Sequence, residues 1–438
     1  VKRFLIETWG CQMNVHDSEK MAGILRRAGY EPAGRAEDAD LVLLNTCSVR
    51  EKAASKIFDR LGRLRLLKKR RPGMMLGVAG CVAQMEGETI FRRAPWVDLV
   101  MGPRTLGRLD EFLEEARREG RSLALAREDE PIVFPSGTAA RARGPKAYVT
   151  VMEGCNKSCA FCIVPVTRGR EVYRKADEIV AETAALLQDG FVEIELLGQN
   201  VNSWHDEGCG FGGLLRMIDR LPGLRRLRFT TSHPGHLDRA IMEAMRDCPS
   251  VCNHLHLPAQ SGSDRVLKAM RRGYTRARYL SKIAFLRSAV PGIAFSSDLI
   301  VGFPGESEED FQATLELVRE ARFAQIYAFT FSPRPGTRAA HAAETVPSEV
   351  QSERLQRLLA LQDEIAAPES ARLVGGRFEV LVDGPSRLDP SVASGRTRCN
   401  RIVHLSDPRP AGAFVEARIM RAHAHSLTGE PVSPPSAA

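Results

Sequence analysis

The sequence predicts an α/β protein of three segments: an N-terminal parallel-sheet domain, a central partial (βα)6 barrel and a small C-terminal β-barrel. Strand and helix patterns alternate over residues 1 to about 125, and a second alternating run spans about 141–371. From 374 to 438 the pattern changes to short β-rich runs split by Gly, Pro, Asp and Ser turns. A chain of 438 residues with 43% hydrophobic content is long enough for two or three separate cores.

In the first segment Lys2–Thr8 reads as a strand, Ser18–Ala28 as a helix and Asp40–Asn45 as a short apolar strand. Ser48 and Glu51 make an S-x-x-E capping box that opens a helix toward Lys69. Strands at Met74–Ala79 and Trp96–Met101 and a helix at Thr105–Arg118 follow, and the Arg-, Glu-, Pro- and Gly-rich stretch 121–144 reads as a linker. The second segment offers strands at Ala147–Met152, Val192–Leu197, Arg226–Thr231, Cys252–Leu257, Ile293–Val301 and Ala324–Phe331, with helical patterns between them. Six such βα units imply a full or partial parallel barrel with its chemistry at the C-terminal ends of the strands. A helix over Ser348–Leu373 leads out to β-runs at Phe378–Val382, Arg401–Leu405 and Phe414–Met420, and the tail beyond Gly429 reads as frayed.

No apolar run approaches the roughly 18–20 residues of a membrane span, and no signal-peptide core opens the chain. The expectation is a cytoplasmic protein with no membrane partner. The net charge of +8 divides as +4, +2 and +2 over residues 1–140, 141–372 and 373–438, an excess that permits an anionic partner without requiring one. Ten cysteines are too sparse for a disulfide scaffold, so clustered ones point to metal or redox chemistry.

The sharpest local pattern is Gly154-Cys155-Asn156-Lys157-Ser158-Cys159-Ala160-Phe161-Cys162, three cysteines at C-x3-C-x2-C just after the first barrel strand. Close thiolates on a loop suit an iron–sulfur cluster or a soft metal. A closed structural zinc site needs a fourth ligand, which the segment does not offer, whereas three ligands leave one iron of a [4Fe–4S] cube open. Cys11, Cys47 and Cys81 each follow a predicted strand, in FLIETWGC, LVLLNTC and MLGVAGC. Strand C-termini of a parallel sheet share one edge, so these three either converge on a second open cluster or are separate buried thiols. Cys209, Cys248, Cys252 and Cys399 read as structural.

Cys155, Cys159 and Cys162 resemble the signature of radical S-adenosylmethionine (SAM) enzymes, with Phe161 at that motif's usual aromatic position. TWGCQMN (8–14), NTCSVREKA (46–54), GCVAQ (80–84), TRGRE (167–171), LLGQNVNS (196–203), RFTTSHP (228–234), QSGS (260–263), DLIVGFPGE (298–306) and SPRPGT (332–337) extend the match along almost the whole chain. It is similar to the methylthiotransferase family. NTCSVREKA, TRGRE and GQNVNS together favour the branch that modifies N6-isopentenyladenosine in tRNA, and the third segment resembles the family's RNA-binding TRAM domain. Val166 and Trp204 depart from the expected aromatic and Tyr, and neither is a cluster ligand.

The resemblance implies insertion of a methylthio group at C2 of that nucleoside next to the anticodon. An aromatic C–H is neither acidic nor electrophilic, so a radical cofactor must supply the reactivity. Two [4Fe–4S] clusters and S-adenosylmethionine are implied: the Cys155/Cys159/Cys162 cluster would cleave the cofactor, and the Cys11/Cys47/Cys81 cluster would carry the sulfur that a second S-adenosylmethionine methylates. Implied partners are tRNA carrying N6-isopentenyladenosine, an electron donor such as flavodoxin or ferredoxin, and iron–sulfur assembly or sulfur-carrier proteins; a monomer is expected.

Gly198, Gln199 and Asn200 end a barrel strand, where they either hold the cofactor's methionine moiety or merely turn the chain. Ser232 and His233 end the next strand, and Gln260, Ser261 and Gly262 are placed between cofactor binding and a plain turn. Ile300 and Val301, in the stretch that resembles the adenine-flanking strand, are expected beside that base or in ordinary core packing. Arg271 and Arg272, and the run Arg60, Arg63, Arg65, Lys68, Lys69, Arg70 and Arg71, offer either phosphate contacts or solvated surface. In the terminal segment Arg396, Arg398 and Arg401 surround Asn400, with Phe378 and Phe414 as stacking or core residues. Competing readings are the sister activities on N6-threonylcarbamoyladenosine or ribosomal protein S12, and an RNA-binding iron–sulfur protein without turnover.

Overall fold

The computed structural model describes residues 1–48, 51–126, 137, 139–141, 144–386 and 389–432, of which 51–55 are described by backbone alone. The Glu51 half of the expected capping box, most of the expected linker and the last six residues of the tail lie outside the described residues. The chain divides into two compact units: Val1–Ala142 with Met152–Lys157 and Cys162–Arg174, and Arg143–Val151 with Ser158–Phe161 and Lys175–Ala438. Among the described residues no helix is long and apolar enough to cross a membrane.

The first unit is built as β1 (Lys2–Trp9), α1 (Gln12–Arg27), β2 (Tyr30–Pro32), β3 (Leu41–Thr46), α2 (Glu51–Arg70), β4 (Met75–Gly80), α3 (Cys81–Glu86), α4 (Glu88–Arg93), β5 (Leu99–Met101), α5 (Leu109–Glu119) and β6 (Ser122–Ala124). The strands form one parallel sheet in the order β2-β1-β3-β4-β5-β6. Alternation along each strand splits the apolar residues between two cores. Leu41, Leu43 and Leu99 meet Met21 and Leu25 of α1 and Leu109 and Leu113 of α5. Val42, Leu44, Leu76 and Val78 meet Ile57, Leu61 and Leu64 of α2 and Ile90 of α4 on the other face. The doubly wound arrangement leaves the strand C-termini along one edge. Sequence reading missed the three-residue edge strands β2 and β6, which are too short to carry a periodic signal.

The second unit supplies all six expected barrel strands. Between the units' boundaries the chain forms β7 (Lys146–Thr150), β8 (Met152–Glu153), α6 (Val164–Arg168) and β9 (Val172–Tyr173). Then come α7 (Ala176–Gln188), β10 (Glu193–Leu197), the two-residue pair β11 (His205–Asp206) and β12 (Cys209–Gly210), α8 (Phe211–Asp219), β13 (Arg226–Phe229), α9 (Arg239–Asp247), β14 (His254–His256), α10 (Asp264–Ala269), α11 (Arg276–Ala289), β15 (Ala294–Val301), α12 (Glu308–Ala321) and β16 (Gln325–Thr330). Two parallel three-stranded sheets, β7-β10-β13 and β14-β15-β16, are joined by a parallel bridge between Leu227 and Val251. The barrel is therefore open between β7 and β16.

After α13 (Ser348–Ala371) the chain closes a five-stranded barrel from β17 (Arg377–Pro385), β18 (Ala393–Thr397), β19 (Ile402–Leu405), β20 (Phe414–Ala422) and β21 (Leu427–Pro431). Val380, Val382, Val403, Leu405, Ile419 and Leu427 fill it. Sequence reading missed β18 and β21 because ASGRT and LTGEP carry little β propensity; ladder pairing on both sides holds them.

This small barrel caps the N-terminal mouth of the partial barrel. Arg226, the first residue of β13, donates to the Arg396 carbonyl (2.8 Å), the Glu379 carbonyl (3.0 Å) and Glu379 Oε1 (3.0 Å). Arg228 donates to the carbonyls of Thr397 and Arg398. In return Arg398 reaches the Pro249 and Val251 carbonyls, and Arg401 reaches Ser370 Oγ at 3.3 Å. The Arg225 guanidinium stacks 4.1 Å from the Phe414 ring. Arg398 and Arg401, expected on RNA, are thus spent on domain docking, as is Phe414, expected as a stacking or core residue, and Phe378 packs against the terminal core.

Candidate functional site

Cys11, Cys47 and Cys81 follow three neighbouring strands of the first sheet. Trp9 of β1, Thr46 of β3 and Gly80 of β4 stand in one register, so the cysteines come two, one and one residues beyond a common line. Strand register therefore brings the three cysteine positions to the same end of the sheet. Helix α1 starts at Gln12, six residues earlier than its apolar pattern suggests, because Cys11 occupies its N-cap position. The Cys11 amide donates to Asn14 Oδ1 at 3.3 Å, and the thiol contacts the same oxygen at 3.4 Å. A hydrogen bond with Cys47 pulls the Cys11 thiol down to about 6, assisted by the Asn14 backbone and the Arg168 charge against the cost of burial. Cys47 and Cys81 are buried.

Asn14 and Asn45, fully buried, tie the first two cysteine loops together. Asn45 Nδ2 donates to the Asn14 carbonyl (2.8 Å) and to Ser18 Oγ (2.9 Å), while Asn14 Nδ2 donates to Asn45 Oδ1 (3.3 Å). Gly80 adopts φ 93°, and a Cβ there would collide with Asn45 Oδ1 and the Thr46 carbonyl. The asparagines stand inside the quoted motifs TWGCQMN and NTCSVREKA, but sequence reading passed them over beside the cysteines.

Arg168 of TRGRE was missed as well. It is buried at 2% exposure and donates to Asp17 Oδ2 at 2.6 Å, with Glu153 3.7 Å away and Lys20 3.6 Å from Glu153. Its charge acts on Cys11 and on Cys81. One residue on, the Gly169 carbonyl accepts from the Cys155 amide at 3.0 Å. TRGRE thus braces the Cys155 loop and places a cation by two of the sheet-edge thiols. Gly154 turns the chain at φ 81°, where a Cβ would collide with the Arg170 carbonyl. A cleft of about 430 Å³ beside Cys155 is lined by Asn156, Lys157, Pro165, Gly169 and Arg170.

Cys159 and Phe161 lie on the same irregular loop, from Gly154 to Ile163. Arg272 Nη1 donates to Cys159 Sγ at 3.3 Å. Phe161 joins a cluster with Met270, Phe303, Phe331 and Ile300. Ile300 is the member of its pair on that side. Val301, expected beside adenine or in ordinary core packing, points to the opposite face and is fully buried, since successive strand residues alternate.

Gly198, Gln199 and Asn200 follow β10, Ser232 follows β13, and Gln260 bridges β15 through the Asp298 carbonyl and the Ile300 amide. Ser232 Oγ is buried without a hydrogen-bond partner among the described residues. Gln260 and Thr231 hold left-handed backbone at φ 69° and 75°, a strain that clusters at functional sites. His233 Nδ1 is occupied as a cap on the Gly235 amide (3.0 Å), and its backbone is clamped by Asn202. Ser261 and Gly262 pack on α12: the Gly262 amide donates to Thr314 Oγ1 at 2.9 Å, which favours the plain turn. Of the basic run on and just after α2, Arg60 pairs with Glu7, Lys68 with Asp98 and Arg71 with Asp40, so these three brace the fold.

Two thiol triads with basic neighbours suit iron–sulfur clusters by donor chemistry. Thr46 Oγ1 and Ser48 Oγ, on either side of Cys47, are buried without a hydrogen-bond partner among the described residues. Among the described residues no three Cys, His, Asp or Glu side chains close around a single ion.

Comparison with known proteins agrees with this geometry. Residues 3–102 match the uncharacterized protein family UPF0004, 149–318 the radical SAM superfamily and 371–432 the TRAM domain. The chain is 48% identical over 435 residues to a tRNA-2-methylthio-N(6)-dimethylallyladenosine synthase of Alkalilimnicola ehrlichii, covering 98% of this chain and 97% of that one. The same coverages hold for a synthase of that name in Burkholderia ambifaria, 46% identical over 442 residues. Among solved structures, the fold is shared with the radical SAM methyltransferase TsrM of Kitasatospora setae at TM-score 0.57 and 16% identity, over 78% of this chain and 75% of that chain. It is shared with the cobalamin-dependent radical enzyme OxsB at TM-score 0.53 and 13% identity, over 83% and 56%. The chain therefore belongs to the tRNA-2-methylthio-N(6)-dimethylallyladenosine synthases, methylthiotransferases of the radical SAM superfamily.

Proposed function

We propose that the chain inserts a methylthio group at C2 of N6-isopentenyladenosine in tRNA with two [4Fe–4S] clusters, one on Cys155, Cys159 and Cys162 and one on Cys11, Cys47 and Cys81. The observation that carries this reading is the register of β1, β3 and β4, which delivers three separately encoded cysteines to one sheet edge. When bound, the clusters and S-adenosylmethionine supply a radical for the unreactive C–H bond and the sulfur that replaces its hydrogen.

The chain's own residues prepare both sites. The Cys11 N-cap position, the Cys47 hydrogen bond and the Arg168 cation favour thiolate over thiol, the form a cluster needs. Asn14 and Asn45 fix the loops that carry Cys11 and Cys47. Gly198, Gln199, Asn200, Ser232, Gln260 and Ile300 offer polar and apolar contacts at the strand C-termini for S-adenosylmethionine, with Phe161 packed beside Ile300. The terminal barrel binds RNA, and its capping of the opposite mouth leaves the C-terminal rim for substrate. The electron donor is a flavodoxin- or ferredoxin-type protein, and assembly or sulfur-carrier proteins rebuild the sulfur-bearing cluster.

Nucleoside mass spectrometry on tRNA from a bacterium lacking its own enzyme, with and without this gene, tests the reading. Conversion of N6-isopentenyladenosine to its 2-methylthio form, abolished by Cys11→Ala and by Cys155→Ala, is expected. Methylthiolated threonylcarbamoyladenosine alone, or no methylthio nucleoside from soluble, iron-loaded protein, would overturn it.

A further inference from the structure

Arg272 sits in the stretch Met270–Tyr274, and nothing in the reaction chemistry demands an arginine there. It is 7% exposed, and all three of its guanidinium nitrogens are engaged. Nε donates to Tyr274 Oη (3.1 Å), Nη2 to the Pro258 carbonyl (3.2 Å) and Nη1 to Cys159 Sγ (3.3 Å). Tyr274 is itself held by the Pro258 and Ala259 carbonyls. None of these partners is a carboxylate. This distinguishes Arg272 from Arg168, whose charge is met by Asp17 and Glu153. A desolvated guanidinium is stable beside Cys159 if a negative charge gathers at that sulfur, which a cluster thiolate supplies.

We propose that Arg272 is a positioning residue that sets the reduction potential of the cluster on Cys159. The inference rests on the assignment of a cluster to Cys155, Cys159 and Cys162. An added electron makes the cluster more negative, so a fixed cation and an N–H donor at a ligand sulfur stabilise the reduced form more than the oxidised form. Cluster potentials respond to net charge and to hydrogen bonds at sulfur in this sense. The Tyr274 clamp holds the guanidinium plane, so the donor does not swing away to solvent.

The test uses the full chain carrying Cys11→Ala, Cys47→Ala and Cys81→Ala, reconstituted anaerobically, so that one cluster is read alone. Its midpoint potential is measured by electron paramagnetic resonance at poised potentials for the Arg272 parent, Arg272→Lys and Arg272→Gln. Arg272→Gln is expected to lower the reduced-to-oxidised ratio at fixed potential about tenfold, equal to about 59 mV for one electron. Arg272→Lys, which keeps the charge, is expected to restore most of that shift. Tyr274→Phe, which loosens the clamp without removing charge, is expected to give a smaller shift of the same sign. Equal midpoints in parent and Arg272→Gln, at equal iron per chain, would overturn the proposal. A parent holding no cluster while Cys11, Cys47 and Cys81 are replaced would instead refute the cluster assignment on which it rests.

Discussion

Replacing Arg168 with Ala tests the bracing of the first unit. Arg168 and Asp17 are 2% and 1% exposed and 2.6 Å apart, and Glu153, 6% exposed, lies 3.7 Å from the same guanidinium. Removing the cation leaves two buried carboxylates with Lys20, 3.6 Å from Glu153, as the nearby cation. Coulomb attraction at such separations is about 4 kcal/mol at an effective dielectric constant of 20. Losing one partner of a buried pair costs about 3–5 kcal/mol. Against a typical domain stability of about 5–15 kcal/mol, that is about a fifth or more of the total. The assay is urea unfolding of cluster-free protein, followed by far-ultraviolet circular dichroism and by tryptophan fluorescence, since Trp9 and Trp96 belong to the first unit. Arg239→Ala is the control, because its pair with Glu243 is 71% exposed on the arginine side and such pairs are worth under about 1 kcal/mol. Pairing Arg168→Met with Asp17→Asn should recover part of the loss. An Arg168→Ala midpoint within the range of the Arg239→Ala control would refute the reasoning.

Three further outcomes follow from the same geometry. Gly154→Ala, forced to φ 81° and into the Arg170 carbonyl, is expected to lower iron per chain by about four with circular dichroism unchanged; full iron content would contradict the turn's role. Arg226→Ala deprives the Arg396 and Glu379 carbonyls of their donor and should make the terminal barrel cleavable at low protease, whereas Arg239→Ala, on its exposed pair with Glu243, should change cleavage little. In cluster-free protein the Cys11 thiol lies at about 6 instead of 9.0. Its contribution to stability is present above pH 9 and falls away as pH drops through 6, so Cys11→Ser should flatten the dependence of the urea midpoint between pH 5 and 9.

Much of this was legible in the sequence, for identifiable reasons. Strands such as LVLLN and MLGVAG declare themselves because a parallel strand buried on both faces is a continuous apolar run. The cysteine triads were legible because C-x3-C-x2-C and three strand-plus-Cys endings mark position without needing partners. What stayed hidden depends on pairing. α1 begins at Gln12, and no apolar periodicity marks its first turn, where Asn14 is spent on bonding Asn45. Arg168, Arg272 and Arg398 look alike in a sequence, but one faces Asp17, one Cys159 and one the carbonyls of Pro249 and Val251. Composition counts a charge; only the fold assigns it to a partner.

The docking of the small barrel on the N-terminal mouth bears on how the chain is dissected genetically. Arg226, Arg228, Glu193 and Glu195 are all under 8% exposed, and two of them depend on the small barrel for their hydrogen bonds. A truncation before residue 374 would flood that charged layer with water as well as discard the TRAM domain. An inactive truncated enzyme would thus report on a breached foundation as much as on lost affinity. Substitutions at Arg377 and Arg418, paired across β17 and β20 on the small barrel's exposed wall, would leave the stopper seated.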